Sequence, residues 1–228
     1  VLNDLELQRG REEASVDTVL SLNEYQKKLQ SAKQKKIRLV DIADAVLKDR
    51  MIKSAIVPGR FPLKYADELR RRGYKIICSE EEPFFSERLV KNAEEVKHLK
   101  DALRKTARAM DLAVRLIASS EIRKNRLYVN GQLLTSEKVK GEISAELSRI
   151  GFTASHTIVS SGIHSSKPHD TGTGALYADK AVIIDIFPRS QRTGFFGDMT
   201  RTVIRGEPSP DLVNMYNTVL AGQKLAIS

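Results

Sequence analysis

Apolar positions in the first eighty residues alternate between helical and strand spacing. Residues 11–36 are rich in helix formers, and Val16, Val19, Leu20, Leu22, Tyr25 and Leu29 recur at near-helical intervals. A second helical stretch is predicted from about Leu39 to Asp49. Ser54 to Val57 reads as a short strand stopped by Pro58-Gly59, and Pro62 to Arg72 as a helix ended by Gly73 at its C-cap. Tyr74 to Cys78 is a further strand. Residues 37–80 therefore predict a small α/β layer.

The run Glu80-Glu81-Glu82-Pro83 interrupts this alternation. A long helix is predicted from about Asn92 to Ser119, with Val96, Leu99, Leu103, Ala107, Met110, Val114 and Ile117 on one stripe. The domain boundary is expected within 83–91, giving an N-terminal α/β domain over 1–86 and a second domain over 87–228. Residues 120–135 read as polar and irregular, with Asn130-Gly131 as a turn. Ser136 is expected to cap a helix running to about Ile150 and ended by Gly151. Then Thr157-Ile158-Val159, Ala181 to Phe187 and Phe195 to Ile204 are β-rich. Ser209 as N-cap and Pro210 in the first turn predict a last helix. Its apolar residues are still in phase at Ser228 and the chain opens on Val1, so the pattern predicts a piece of a longer protein.

Composition narrows the function classes. Hydrophobic residues make up 41% of the 228, enough for a buried core. No apolar run has the roughly 18–20 residues that a membrane span needs, so no membrane partner is expected. The N-terminus carries no basic-then-apolar secretory pattern. The single cysteine, Cys78, excludes an internal disulfide and reads as a buried structural thiol; with these features a cytoplasmic location is expected. The net charge of +9 is spread along the chain rather than gathered in a tail, so no nucleic-acid partner is expected. Lys33-Gln34-Lys35-Lys36 and Arg70-Arg71-Arg72 read as solvated helix faces.

The candidate chemistry lies in the last third. His156, His164 and His169 fall within fourteen positions, and Asp185 and Asp198 follow. Asp185 interrupts the apolar run Val182-Ile183-Ile184-Asp185-Ile186-Phe187, where a carboxylate is costly unless a metal ion or a cation meets it. Asp198 sits similarly in Phe195 to Val203. Pro188 to Gly194 is expected to connect the two runs as a hairpin and bring both carboxylates to one face. Thr200 shares that face with Asp198 and is placed to hydrogen-bond a ligand carboxylate. Such an oxygen-rich site suits Mn²⁺ above all, with Co²⁺, Fe²⁺ and Zn²⁺ as alternatives. The competing reading is an ion pair of Asp198 with Arg201 or Arg189, and the two readings weigh about evenly on these residues. His98 reads as an ordinary surface or interface residue, His164 as an idle loop residue and His156 as packed. His169, before the Gly-rich Thr171 to Gly174, is the best candidate for a functional histidine, since glycines let a backbone approach a ligand closely.

Taken together, Ile158-Val159-Ser160-Ser161-Gly162, Pro168-His169, Val182-Ile183-Ile184-Asp185 and Gly197-Asp198-Met199-Thr200-Arg201-Thr202 resemble the creatinase/aminopeptidase ("pita-bread") family of metallopeptidases. Glu87 to Val96 resembles the start of the catalytic domain in its prolidase-like members. The resemblance implies a creatinase-like α/β N-terminal domain followed by the first part of an α+β pita-bread domain. It implies two divalent metal ions held by two Asp, one His and two Glu, with Asp185 and Asp198 as the Asp pair. His169 matches the histidine that contacts substrate. A hydroxide shared by the two metals would attack the peptide carbonyl, which they polarise as Lewis acids. The activity implied is that of an Xaa-Pro aminopeptidase or dipeptidase on short peptides, and a homodimer is compatible with the family.

Two departures stand out. Thirteen positions separate Asp185 from Asp198, two more than the common pattern, and an even insertion preserves side-chain parity. Asp185-Ile186-Phe187-Pro188-Arg189 replaces the usual Asp-x-Gly, which marks a divergent branch. The remaining His and Glu ligands fall beyond Ser228, so these 228 residues alone are expected to be inactive. Two alternatives use the same fold. One is a metal-free creatinase-type amidinohydrolase, against which the Asp pair argues. The other is a non-catalytic protein that binds peptide, histone or RNA.

Overall fold

A computed structural model of the chain describes residues 1–31 and 36–228. It comprises two compact units, Val1–Val90 and Lys91–Ser228. Most of the basic run at 33–36 lies outside the described residues.

In the first unit, the single helix expected over 11–36 is absent. Helix α1 spans Asp4–Glu13 and α2 spans Leu22–Ser31. Between them an extended segment carries a bridge from Leu2 to Ser21. Helix α3 (Leu39–Asp49), strand β1 (Ser54–Val57), helix α4 (Leu63–Arg71) and strand β2 (Lys75–Cys78) follow as predicted, with β1 and β2 parallel. Gly73 ends α4 with φ at +92°, a left-handed value that favours glycine. Cys78 is exposed rather than buried: it shares a face with Ile76, but it is the last residue of its strand and lies outside the apolar cluster that covers Ile76.

Arg72 does not lie on a solvated face either. Its guanidinium turns inward to bind Asp41, and at 3.0 Å Asp44, while the Tyr74 hydroxyl donates to Asp44 at 2.7 Å. Arg38 adds its backbone N–H to Asp41 at 2.8 Å. Burial pushes the Asp41 carboxyl up. The hydrogen bonds from Arg72 and Arg38 outweigh that and hold it well below the usual carboxylate range.

The second unit begins with the long helix α5 (Ala93–Ala118), started by a capping box between Asn92 and Glu95. Its buried face matches the expected stripe only in part: Met110 and Ile117 are buried as predicted and Val114 packs against the same core. Ala102, Thr106, Ala109, Met110, Ala113 and Ile117 are buried, whereas Val96 and Leu103 are exposed. Small residues face inward because backbone comes very close. A Cβ on Gly197 would stand 2.0 Å from the Thr106 hydroxyl oxygen and 2.8 Å from the Ala102 carbonyl oxygen.

Residues 120–135 are also more ordered than predicted. Strands β3 (Glu121–Arg123), β4 (Arg126–Val129) and β5 (Gln132–Leu133) form two hairpins. Lys124-Asn125 and Asn130-Gly131 turn them, all four at positive φ, as tight two-residue turns require. Helix α6 (Ser136–Arg149) is capped by Thr135, not Ser136. Ser136 is buried, and its hydroxyl donates to the Val159 carbonyl at 2.6 Å.

Strands β6 (Phe152–Ala154), β7 (Ile158–Ser161), β8 (Ala181–Ile186), β9 (Pro188–Ser190) and β10 (Met199–Ile204) follow. β8 is central, with β7 and β10 antiparallel on either side, and β9 pairs with β6. Val182, Ile184 and Ile186 pack with Ile143 and Leu147 of α6 and Met110 of α5 in one core. Helix α7 (Pro210–Ile227) starts on Ser209 and Pro210 as expected. Among the described residues no helix is long and apolar enough to cross a membrane.

Two outcomes follow. Gly197→Ala should cost about 1–3 kcal/mol in chemical denaturation, the usual range for overpacking, because the Ala102 carbonyl cannot rotate away. The Asp41 carboxylate, depressed when folded, stabilises the first unit above its unfolded value of 3.8. That contribution is lost as pH falls below about 4. Asp41→Asn should therefore lower the melting temperature at pH 7 and flatten its fall in acid.

Candidate metal centre

The two carboxylates are placed by one continuous antiparallel register. Asp185 stands opposite Thr200 and Ile186 opposite Met199. Beyond the formal strands the ladder continues: the Gly197 N–H donates to the Pro188 carbonyl, Arg189 bridges Phe196, and the Ser190 N–H donates to the Phe195 carbonyl. Phe187 is thus opposite Asp198. Pro188 to Gly194 is not a plain loop, since β9 lies inside it. Asp198 precedes β10 rather than lying within it.

Period-two alternation then sorts the hairpin. Val182, Ile184, Ile186, Pro188 and Ser190 are buried on one side. Ile183, Asp185, Phe187 and Arg189 lie on the other, across from Thr202, Thr200, Asp198 and Phe196. Asp185 and Asp198 therefore face the same way, diagonally across the pair, and the two extra residues leave that parity intact. The Thr200 hydroxyl donates to Asp185 Oδ1 at 2.7 Å. Asp185 is half-buried and Asp198 exposed.

The ion-pair alternative is not formed. Among the described residues no cation pairs with Asp198. The Arg201 guanidinium donates to the Thr200 carbonyl at 2.7 Å, and the Arg189 guanidinium to the Gly194 carbonyl at 3.2 Å. Nor is there, among the described residues, a group of three or more His, Cys, Asp or Glu able to hold a metal ion. The oxygen donors fit a hard divalent cation in kind but not in number.

His169 reaches the same face. With Asp185, Thr200 and Ser160 it lines a pocket of about 290 Å³. Asp198 is not part of that lining. Ser160 pairs with Ile183 across β7 and β8, and its hydroxyl is buried with no hydrogen-bond partner. Such a group is costly to leave unpaired and marks where a polar ligand atom would be accepted. Period-two reading of β7 could have found Ser160, since it shares a face with Ile158, opposite Asp185.

Two of the other histidines, His164 and His156, differ from expectation. His164 is not idle: its Nδ1 lies 2.9 Å from Asp170 Oδ2. That bond, with the Gly172 N–H, holds the Asp170 carboxyl below its ordinary value. His156 is exposed, with φ at +59°, not packed. Thr153 faces Arg189 and Ile158 faces Asp185, so one extra residue is accommodated between them as a bulge at His156. His98 is half-buried, 5.4 Å from the Phe195 ring centre. Within the Gly-rich segment Gly172 lies against its own chain. A Cβ on Gly172 would stand 2.0 Å from the Val159 carbonyl oxygen. Lys140 donates to the Thr171 and Gly172 carbonyls at 3.1 and 2.8 Å, and Glu137 accepts the Gly174 N–H at 3.0 Å. This clamp holds the loop that presents His169.

The model of metallopeptidase family M24 matches residues 97–228, more than half of the chain. The chain belongs to metallopeptidase family M24. The chain, which holds a partial pita-bread domain, is similar in structure to a Pyrococcus horikoshii prolidase, with TM-score 0.72, 22% identity, and coverage of 98% of this chain and 56% of that one. It is likewise similar to an Xaa-Pro dipeptidase from Bacillus anthracis, with TM-score 0.74, 19% identity, and coverage of 97% and 56%. In sequence it is 25% identical to an Xaa-Pro dipeptidase of Pyrococcus horikoshii over 77% of this chain and 47% of that protein. An uncharacterized peptidase of Bacillus subtilis is 28% identical over 62% of this chain and 36% of its own length. This M24 chain thus spans less than half the length of these two sequence relatives.

Gly172→Ala should disturb the His169 loop, because φ is +75° and the strand backbone blocks the methyl. A loss of about 1–3 kcal/mol by thermal unfolding is expected.

Proposed function

We propose that this chain is part of a metal-dependent peptidase that releases the N-terminal residue from short peptides, Xaa-Pro peptides among them. The observation that carries the reading is the hairpin face on which Asp185 and Asp198 point the same way, with Thr200 bonded to Asp185. Family membership and the Xaa-Pro dipeptidase name of a relative support it.

In this reading Asp185 and Asp198 hold metal, Mn²⁺ foremost, and by resemblance one His and two Glu following residue 228 complete the set. The bound ions would supply Lewis acidity and a deprotonated water at neutral pH. Thr200 fixes the orientation of Asp185, so that the carboxylate is presented in one pose. His169, across the pocket, is placed to hydrogen-bond a peptide carbonyl. Ser160 offers a buried hydroxyl to a second polar atom of the peptide. The half-buried Ile158 and Ile183 beside it exclude water from an apolar side chain.

The full-length protein with Mn²⁺ should release the N-terminal residue from Xaa-Pro peptides and lose that activity to a chelator. Failure to hydrolyse any short peptide with any divalent ion would refute the reading. Thr200→Val should weaken metal affinity about 10–100-fold, the usual effect of removing such a supporting bond, with unchanged circular dichroism.

A further inference from the structure

A larger pocket, about 660 Å³, opens along the same side of the hairpin, and its lining includes Phe187, which stands opposite Asp198. Arg189, Arg192, His156, Phe187 and Phe196 line it, and its lining holds no carboxylate. Phe187 and Phe196 stack with ring centres 4.7 Å apart and planes at 13°. The Arg189 guanidinium lies over Phe196, 5.7 Å from its ring centre. Gly194 makes room for it, since a Cβ there would stand 3.2 Å from Arg189 Nη2. Among the described residues neither Arg189 nor Arg192 has an ion-pair partner. The result is an ordered ring floor with two uncompensated positive charges at its far end.

Resting on the peptidase reading above, we infer that this pocket binds the C-terminal carboxylate of a short peptide and makes the site selective for peptides of about three residues with a free C-terminus. The register sets the length. Phe187 stands opposite Asp198, and Arg189 is two residues further along the same face, about 7 Å of extended backbone. The first carbonyl of an extended tripeptide lies about the same distance from its terminal carboxylate. Charge sets the direction. A cationic N-terminus is repelled by Arg189 and Arg192, and on the other side of Asp185 the smaller pocket holds Asp170. The middle and last residues would lie on the phenylalanine pair, which accepts an apolar or proline ring. A guanidinium held in place by an aromatic face and a backbone carbonyl is already ordered for a carboxylate.

The test compares a tripeptide Ala-Pro-Ala with its C-terminal amide on the full-length protein. Hydrolysis is followed with Mn²⁺, and binding by calorimetry on metal-free protein, for wild type, Arg189→Gln and Arg192→Gln. The free acid should be preferred about tenfold or more in both readouts, the order expected for a charged hydrogen bond, and Arg189→Gln should erase the preference. Should Arg189→Gln fail to fold, Arg192→Gln, on the exposed turn, decides by lowering it. Equal treatment of acid and amide by wild type overturns the inference, as does a folded Arg189→Gln protein that keeps the preference. Hydrolysis without preference leaves the peptidase reading standing and removes the subsite. Arginine-dependent binding of the acid with no hydrolysis does the reverse.

Discussion

The close approach of Gly197 to helix α5 is the constraint on which the second unit depends. At this point the return strand of the hairpin lies on the Ala102 and Thr106 surface with no side chain between. Asp198 is the next residue. Everything the hairpin presents, from Thr202 to Phe196, takes its position from that contact and from the ladder to β8 and β9. The small residues on the inner face of α5 exist to receive it. A bulkier helix face would move the strand, and with it one carboxylate relative to the other.

A single parity runs through this hairpin. Each residue on the core side has a neighbour on the open side, so the strands that fill the hydrophobic core also display the polar chemistry. Val182, Ile184 and Ile186 anchor; Ile183, Asp185 and Phe187 are presented. The bulge at His156 lets β6 and β7 follow the same partner strand although their registers differ by one residue. The loop carrying His169 is fixed independently by Lys140 and Glu137 of α6. The open face is thus assembled from three supports, namely α5, α6 and the sheet, and no single loop carries it.

The N-terminal unit is held differently. Its apolar clusters are small, and Arg72, Arg38, Asp41, Asp44 and Tyr74 form a connected polar network between α3, α4 and β2. Burial raises the Tyr74 phenol to about 12, helped by its bond to Asp44. Such a network tolerates removal of one partner poorly, because the remaining charge is left half-buried.

The sequence by itself determined the elements whose signals are local. The α3–β1–α4–β2 alternation, the capping box of α5 and the Ser209-Pro210 start of α7 depend on residues within a few positions of one another. The parity of Asp185, Asp198 and Thr200 was legible for the same reason, since an even insertion cannot change a period of two. Only the tertiary structure decided the rest. Which face of α5 is buried depended on the approach of Gly197, some ninety positions away. Ser136 gave up capping because a strand carbonyl came within reach. Gly172 makes room for the Val159 backbone. Arg72 turned inward to Asp41 and Asp44. Each is a contact between residues distant in sequence, and spacing along the chain holds no record of them.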